Sequence, residues 1–362
     1  MRTIAVTGAS SYAGRVFIKA IESHPSVSRV IGIDTTQPSF ATRQLEFYEM
    51  DMRSSQLTGA LRGCQALVHL GFASSVRDLA EMRDINVGGT RMVLEAALAA
   101  GVRRIVHGSS TTVYGAHPDN DFPLTEESLA RPLRDFPNSA QRAEAEGIVR
   151  AFSQSHADVQ VVILRPSLTM GPSVEGFVAR IIESPYMLGV SGYDPPFQVV
   201  HESDVARAFV HALDSDFVGV YNVCPDDWTD LSAAARASGR RLVTADHAAT
   251  ARQAERMWRL HLSELTAAHL PFVMYPWVAS NAKLKATGFT FEHSTLDTLQ
   301  AGAEARKGWV SVGPTRFRPR RIALVAGGVG AVLLGSAARG RARRAKRETD
   351  PGSSRPRPRT RR

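Results

Sequence analysis

The sequence predicts an α/β protein of the Rossmann type, with a doubly wound parallel sheet covered by helices on both faces. Short apolar runs alternate with stretches of helical periodicity over the first 165 residues, as buried parallel strands and their crossover helices do. A glycine-containing turn joins the first strand to the first helix, and an aspartate ends the second strand. Hydrophobic residues make up 43% of the 362 residues, which provides enough apolar surface for a large folded core.

The elements of this sheet follow one another in regular alternation. Five aliphatic runs of strand length are predicted as strands: Thr3–Val6, Val30–Ile33, Leu67–Leu70, Ile105–His107 and Val159–Leu164. Between them, three stretches with apolar residues at helical spacing are predicted as helices: Ala13–Ile21, Val87–Ala100 and Ala140–Phe152. This order predicts one doubly wound domain over residues 1–165.

The second half of the chain is less regular and predicts a smaller mixed α/β lobe. Glycine and proline punctuate residues 171–197, which we expect to be rich in loops. One strand is predicted at Val218–Val223, together with four helices: Asp204–Leu213, Leu231–Ala237, Ala248–Ala268 and Leu296–Arg306. These elements are too few for a second doubly wound sheet. Residues 166–312 are therefore interpreted as a substrate lobe, some of whose elements return to the first domain.

The formal charge of +9 is unevenly distributed along the chain. Residues 316–362 hold fifteen arginines and lysines against two acids, a charge of +13, which leaves −4 for residues 1–315. Nucleic-acid binding is therefore disfavoured for the body of the protein. The two cysteines, Cys64 and Cys224, exclude a disulfide framework, and no Cys-x-x-Cys pair offers a zinc or redox site, so no metal is predicted.

The segment Ile322–Ala338 has 17 uncharged residues with arginines on both sides. Its length is at the short limit of a membrane span, small residues recur at every fourth position, and each glycine would cost about 1 kcal/mol in a helix in water. We predict a C-terminal hydrophobic helix that anchors the chain to a membrane, followed by a disordered basic end, all within residues 313–362. An interfacial helix and a fully disordered tail are the alternatives. The first residues lack the apolar stretch of a secretory signal, so the body is expected in the cytoplasm.

The segment Val6–Gly14 has the composition of a phosphate-binding turn. It follows a strand and opens a helix, whose N-terminal N–H groups can bind a pyrophosphate, although the middle glycine of the usual pattern is Ser11. Asp34 ends the next strand, where a carboxylate can bond ribose hydroxyls and would repel a 2′-phosphate. The pattern favours NAD over NADP, and a glycine turn beside a surface aspartate is the alternative. The predicted cofactor-binding residues here are Gly8, Ser10, Ser11, Tyr12, Ala13, Gly14 and Asp34.

Eight short motifs follow one another along the chain in a characteristic order. They are Thr7–Gly14, Asp51-Met52, Val68–Gly71, Asn86–Thr90, Ser109–Gly115, Leu164–Pro166 with Gly171-Pro172, His201–Ala206 and Tyr221–Val223. Together they resemble the extended short-chain dehydrogenase/reductases of the NAD-dependent epimerase/dehydratase family, over roughly residues 1–305. The resemblance implies an NAD(P)-binding first domain, with Asp51 and Met52 beside the adenine and Leu70 and Gly71 along the cofactor. It also implies a homodimer, paired through the helices Val87–Ala100 and Ala140–Phe152.

The catalytic pair of this family is missing from the chain. In the family a Ser or Thr, a Tyr and a Lys carry out hydride transfer, and the lysine lowers the pKa of the tyrosine acid/base. None of the seven tyrosines is followed by a lysine four residues later. The resemblance places Ser110 on the Ser/Thr, Asn138 on the tyrosine and Arg142 on the lysine, where Arg142 can also bind the cofactor. Asn138 has no ionisable proton near neutral pH; other residues that could act as a base are His107, Tyr114 and His117.

The substrate side also departs from the nucleotide-sugar members of the family. Those members carry an Asn where this chain has Leu168, and a late Arg that Met274–Val278 lacks. A diphosphate needs cationic or amide partners, so a UDP- or dTDP-sugar is disfavoured. The residues expected either to line an apolar pocket or to belong to the core are Phe272, Met274, Tyr275 and Trp277.

These observations lead to three functional hypotheses. The first is an NAD-dependent epimerase/dehydratase-like oxidoreductase that acts on a carbonyl or hydroxyl group of a small, lipid-related substrate at the membrane. The second is a non-catalytic NAD(P)-binding or scaffold protein, because the Tyr/Lys pair is absent. The third is a nucleotide-sugar epimerase with a rearranged site.

Overall fold

Seven parallel strands form the main sheet of the protein in a computed structural model, which describes residues 2–74, 78–175, 183–184, 186–263, 265–312 and 315–317. With strands numbered along the chain, their order in the sheet is 3-2-1-4-5-6-11, and every neighbouring pair is parallel. The strands are β1 Arg2–Thr7, β2 Val27–Asp34, β3 Leu45–Glu49, β4 Ala66–His69, β5 Arg104–Gly108, β6 Gln160–Pro166 and β11 Gly219–Val223. The predicted Rossmann-type α/β fold is confirmed.

One strand of this sheet, β3, was not predicted. It lies at the sheet edge beside β2, and its residues are only partly buried, so its sequence lacks the continuous apolar run of a strand that is covered on both faces. At the opposite edge, β11 returns from the second half of the chain to pair with β6.

The remaining strands form four two-stranded sheets outside the main one. Residues 171–197, expected to be rich in loops, contain the strand β8, which pairs with β13. The other pairs are β7 with β10, β9 with β12, and β14 with β15. Their bounds are β7 Leu168–Met170, β8 Tyr186–Val190, β9 Pro196–Phe197, β10 Val199–His201, β12 Thr229–Asp230, β13 Arg241–Ala245, β14 Val310–Val312 and β15 Thr315–Phe317.

The described α-helices are α1 Tyr12–Ile21, α2 Leu57–Leu61, α3 Leu79–Arg83, α4 Gly89–Ala99, α5 Pro137–Ser155, α6 Glu202–Asp214, α7 Leu231–Ala237, α8 His247–Arg259, α9 Ala282–Lys285 and α10 Thr295–Ala305. A π-helical turn, Asp84–Gly88, leads into α4, and 3-10 turns occupy Thr111–Tyr114 and Ala267–Val273. The helix predicted over Ala248–Ala268 is wrong beyond Arg259. There the chain enters a left-handed turn at His261, whose φ is 56°, and the N–H of Leu262 bonds back to the carbonyl of Met257, which terminates a helix.

Apolar side chains cover the main sheet on both faces. The sequences of its strands are therefore continuous hydrophobic runs. On one face Val6 and Val106 pack with Phe17 of α1 and Phe209 of α6. On the other face lies a second cluster that includes Leu61 of α2, Leu67 of β4, Leu94 of α4, Ile105 of β5 and Val149 of α5.

The predicted hydrophobic helix at Ile322–Ala338 and the basic end after it lie outside the described residues. Within the part of the chain that the structure describes, no helix combines the length and the apolar character needed to cross a membrane. The division into residues 1–165, 166–312 and 313–362 stays a prediction.

A buried polar layer connects three central strands to α4. Thr7 Oγ1 lies 2.6 Å from His69 Nδ1, and His69 Nε2 lies 3.1 Å from Thr90 Oγ1. His107 lies on the neighbouring strand, its ring centroid 5.2 Å from that of His69. Burial, with a smaller contribution from the charge of Arg142, lowers the pKa of His107 to about 3, and burial also holds the pKa of His69 well below its ordinary value. Both imidazoles are therefore neutral at pH 7.

We expect His107 to make the fold sensitive to acid. The unfolded chain binds a proton at His107 below a pKa of 6.5, whereas the folded chain does so only near pH 3, so the free energy of unfolding falls as the pH falls through this window. From about pH 7.5 to about pH 5 the loss due to this residue is about 2 kcal/mol. Urea unfolding at the two pH values should show a smaller loss for His107→Leu, which does not titrate. An unchanged loss in His107→Leu would contradict the prediction.

Candidate active site

The turn between β1 and α1 is tightly packed against the end of β4. Gly8 has a φ of 71°, and a Cβ at this position would lie 2.7 Å from the backbone nitrogen of Gly71. A Cβ on Gly14 would collide with the carbonyl oxygen of Gly8. Only glycine fits at Gly8 and Gly14. The strand order reverses between β1 and β4, and such a switch point is where open α/β sheets bind their ligands.

Ser11 takes the place of a glycine without disturbing this turn. Its backbone is extended, with φ −65° and ψ 162°, a conformation open to any residue. Its hydroxyl accepts the N–H of Gly14 at 3.1 Å and donates to the carbonyl of Gly8 at 2.7 Å. Ser11 therefore caps α1 and leaves the turn intact.

Asp34 lies against the same turn. Its carboxylate accepts the N–H of Ser10 at 3.0 Å and that of Thr35 at 2.8 Å. Tyr12 points to the other side, where its phenol donates to Glu202 Oε2 at 2.6 Å, and its pKa is raised by burial and by this carboxylate. The structure thus brings Ser10 and Asp34 together and connects Tyr12 to the start of α6. Ala13, between Tyr12 and Gly14, is exposed.

The residues predicted beside the adenine and along the cofactor also meet at this edge. Met52 is buried, and a Cβ on Gly71 would lie 3.0 Å from its sulfur. Leu70 extends over the end of β5, where a Cβ on Gly108 would lie 2.8 Å from it. Asp51 pairs with Arg53 at 2.6 Å, and hydrogen bonds from this guanidinium lower the pKa of the Asp51 carboxyl.

The three predicted catalytic residues lie around the end of β5. Ser110 caps the 3-10 turn Thr111–Tyr114, and its hydroxyl accepts the N–H of Thr112 at 3.2 Å. Asn138 lies in the first turn of α5, where its Nδ2 is 3.5 Å from the carbonyl oxygen of Ser74. Its Oδ1 is buried and has no hydrogen-bond partner among the described residues.

Arg142 lies one turn further along α5. Its guanidinium covers the ring of Phe72, 3.8 Å from the ring centroid, and its Nη1 donates to the carbonyl of Gly108 at 3.3 Å. Burial lowers the pKa of Arg142 to about 10, so the group remains cationic at neutral pH. No carboxylate in the described ranges forms an ion pair with it. A partly buried positive charge therefore lies at the carboxyl end of β5.

Sequence reasoning missed the residues that hold α5 in place. Ser139, next to Asn138, donates to the carbonyl of Thr112 at 2.6 Å and so joins the helix to the turn that Ser110 caps. Gln141 accepts the Nδ2 of Asn86 at 2.8 Å. The available signal was their position on α5, since polar residues on the face that meets a sheet need partners.

None of the three alternative bases has suitable properties. His107 has a pKa of about 3 and is too weak a base at neutral pH. Tyr114 donates to Asn222 Oδ1 at 2.8 Å, and burial raises its pKa to about 12. His117 Nε2 is engaged with the carbonyl of Arg131 at 2.7 Å.

The predicted apolar residues of the substrate side divide between core and surface. Met274 and Trp277 are buried, and the indole of Trp277 donates to the carbonyl of Phe272 at 3.2 Å. Phe272 is only partly buried, as is Phe136, whose ring lies 5.8 Å from it just before α5 begins. Tyr275 is partly buried as well. Phe136, which precedes Asn138 by two residues, connects this aromatic group to the start of α5.

One group of possible metal ligands is present in the described part of the chain: Asp204, Glu292 and His293. The Asp204 carboxylate already accepts the backbone N–H groups of Glu292 and His293, and Arg207 pairs with both Asp204 and Glu292. Internal partners therefore saturate this group.

Comparisons with known proteins agree with this geometry. A family model described as "NAD dependent epimerase/dehydratase family" matches residues 4–224. The uncharacterized protein Rv0501 of Mycobacterium tuberculosis is 30% identical over 251 residues, which are 66% of this chain and 66% of that protein. The sterol demethylase protein B of Methylococcus capsulatus is 29% identical over 175 residues, 47% of this chain and 52% of that one. The chain thus spans about two thirds and about half of these two relatives.

Among solved structures, MoeE5 in complex with UDP-glucuronic acid and NAD superimposes with a TM-score of 0.68 and 21% identity, and covers 84% of this chain and 98% of that one. At this identity the likeness shows the fold.

The glycine turn gives a stability prediction with an internal control. Gly14→Ala should lower the free energy of unfolding by about 1–3 kcal/mol, because its Cβ overlaps the Gly8 carbonyl. Gly147→Ala, also within a helix but with open space around the added Cβ, should raise it by about 0.5–1 kcal/mol. Urea unfolding of the two variants measures both. Equal stability of the two would mean that the turn has room for a side chain.

Proposed function

Since the chain belongs to the NAD-dependent epimerase/dehydratase family, we propose that it is an NAD-dependent enzyme that interconverts a hydroxyl and a carbonyl group on its substrate. The observation that carries the proposal is the placement of Ser110 and Arg142 around Gly108, at the same sheet edge as the glycine turn and Asp34. This edge thus combines a cofactor cradle with a hydroxyl donor and a partly buried cation.

The cradle, which is the glycine turn between β1 and α1 together with Asp34, fits NAD. The close packing of Gly8 against Gly71 leaves no side chain over the turn, and the start of α1 offers its N–H groups to a pyrophosphate. Asp34 would bind the adenosine ribose and disfavours a 2′-phosphate, while Arg142 would hold the nicotinamide ribose. The residues proposed to hold the cofactor are Gly8, Ser10, Ser11, Tyr12, Ala13, Gly14, Asp34, Asp51, Met52, Leu70, Gly71 and Arg142. NAD supplies the hydride acceptor and donor when bound.

The chain's own groups then handle the substrate oxygen. The Ser110 hydroxyl can donate a hydrogen bond to that oxygen, and the Arg142 cation stabilises negative charge that develops there. Asn138 can bind the substrate through its amide but cannot accept a proton. We therefore propose that, when the substrate hydroxyl is oxidised, its proton passes to Ser110 Oγ while Ser110 releases its own hydroxyl proton to water, and that this relay replaces the tyrosine.

A non-catalytic NAD(P)-binding or scaffold protein is the second candidate, and Asn138 is the observation that favours it. Without an ionisable group at this position, the proton transfer that accelerates hydride chemistry by about 10²–10⁴-fold is weakened. Cofactor binding alone does not separate the two candidates, because both retain the cradle.

We propose an apolar, lipid-related hydroxyl or carbonyl compound as the substrate. The partly exposed rings of Phe136 and Phe272 lie beside α5, Leu168 offers no hydrogen bond, and Met274–Val278 contains no cation for a diphosphate. The relative named as a sterol demethylase protein is consistent with this choice. A nucleotide-sugar substrate in a rearranged site is the competing proposal, and the neighbour that was solved with UDP-glucuronic acid favours it.

We also propose that the body lies at the cytoplasmic face of a membrane, anchored by Ile322–Ala338, and that it forms a homodimer through α4 and α5. The support for the anchor is the uncharged sequence between arginines. The support for the dimer is the family resemblance.

Turnover tests the proposed activity. The purified chain should reduce NAD, or isomerise the substrate, with at least one member of a panel of sterol, lipid-alcohol and UDP-sugar compounds. Ser110→Ala should lower kcat about 100-fold or more, because a donor to the substrate oxygen is lost, whereas the exposed control Ser155→Ala should not. Full activity in Ser110→Ala would exclude this serine from catalysis. NAD binding without turnover on the whole panel would favour the scaffold.

Fractionation tests the anchor. The full chain should stay with membranes through a high-salt wash, because an inserted helix is held by apolar burial rather than by charge. A chain truncated after Phe317 should be released by the same wash. Recovery of both chains in the salt-washed supernatant would contradict the anchor.

A further inference from the structure

Helix α8 has an arginine stripe on its outward face. Thr250 and Ala254 are buried and define the inward face. Arg252, Arg256 and Arg259 recur at intervals of four and three residues on the opposite side, and all three are exposed. No carboxylate of the described residues forms an ion pair with any of them, and the nearest acid along the helix, Glu255, accepts the N–H of Ala267. The stripe is therefore a free cationic surface, although residues 1–315 carry a net charge of −4.

Large apolar side chains project at the end of the same helix. Trp258, Leu260 and Leu262 are 50%, 55% and 40% exposed. The left-handed turn at His261 fixes their placement, because the N–H groups of His261 and Leu262 bond back to the carbonyls of Trp258 and Met257 at 2.9 Å each. The indole ring of Trp258 has no aromatic or hydrogen-bond partner within the described ranges. The last turn of α8 and the turn after it thus leave three large apolar side chains about half exposed.

We group the arginines of the outward face with the apolar side chains at the end of the helix as the α8 patch, whose residues are Arg252, Arg256, Trp258, Arg259, Leu260 and Leu262. We propose that the α8 patch binds the surface of an anionic lipid bilayer. The arginines would pair with lipid phosphates, while the tryptophan and leucines would enter the boundary between headgroups and acyl chains. This surface is separate from the predicted anchor at Ile322–Ala338 and does not rest on the proposed activity.

The composition of the patch favours a bilayer over other occupants. A nucleic acid would neutralise the arginines but would leave Leu260 and Leu262 exposed to water. A second copy of the chain placed face to face on the patch would bring like charges together. A bilayer surface supplies phosphates and an apolar layer within the reach of one helix end.

Fluorescence quenching in the full chain tests the proposal at the patch itself. The probes are phosphatidylglycerol vesicles with brominated acyl chains, which quench tryptophan only on near contact, and phosphatidylcholine vesicles of the same kind. We expect quenching by the anionic vesicles, loss of most of it in Trp258→Phe, and retention in Trp228→Phe. Trp228 is the matched control, since it is 40% exposed and lies outside the patch. Leu260→Ser keeps Trp258 and should reduce the quenching. This variant tests the proposal if Trp258→Phe does not fold.

The arginines are tested by titration with the same anionic vesicles. Arg256→Gln should weaken binding about fivefold, and Arg62→Gln, an exposed arginine outside the patch, should leave it unchanged. Vesicle binding with quenching that Trp258→Phe does not change would overturn the proposal, as would an absence of binding. Arg256-dependent binding of a DNA duplex without lipid quenching would assign the stripe to nucleic acid and would also overturn it.

Discussion

The arrangement of the candidate site depends on one buried ion pair, between Glu146 of α5 and Arg165 of β6. Glu146 Oε2 accepts Arg165 Nε at 3.0 Å and the hydroxyl of Ser109 at 2.7 Å, and both charged residues are almost fully buried. Burial opposes ionisation of Glu146, but the hydrogen bonds and charge of Arg165 outweigh it and lower the pKa of Glu146. Removing one partner of such a pair costs about 3–5 kcal/mol, so the contact strongly fixes where α5 lies on the sheet.

The ion pair at Glu146 also determines where the first turns of α5 lie at the sheet edge. Asn138 and Arg142 lie two turns and one turn before Glu146, on the same side of α5. Ser109, which Glu146 binds, directly precedes Ser110, so one carboxylate sets the position of the helix and of the turn after β5. These contacts position α5 without Asn138, whose buried Oδ1 has no partner among the described residues.

The sequence predicted the sheet well because burial on both faces leaves a signal in each strand. The edge strand β3 lacked that signal, since its side chains are only partly buried, and the end of α8 was missed because a histidine, rather than a glycine, adopts the left-handed conformation that stops it. The pairing of Ser10 with Asp34 was predictable from the motif order. The contact of Arg142 with Phe72 was not predictable, because it joins a helix to a loop and no sequence pattern relates the two.

The electrostatics of Arg142 indicate that the end of β5 binds a ligand. A partly buried guanidinium without a carboxylate partner among the described residues is electrostatically unfavourable, and burial lowers the pKa of Arg142 to about 10. The ring of Phe72 and the carbonyl of Gly108 compensate for this only in part, because neither carries a full negative charge. A ligand that places negative charge or ribose hydroxyls at the end of β5 relieves the cost, and a transition state with charge on the substrate oxygen relieves it further. A neutral side chain would serve a purely structural position at lower cost, so the cation at Arg142 favours a site that binds a ligand at the end of β5.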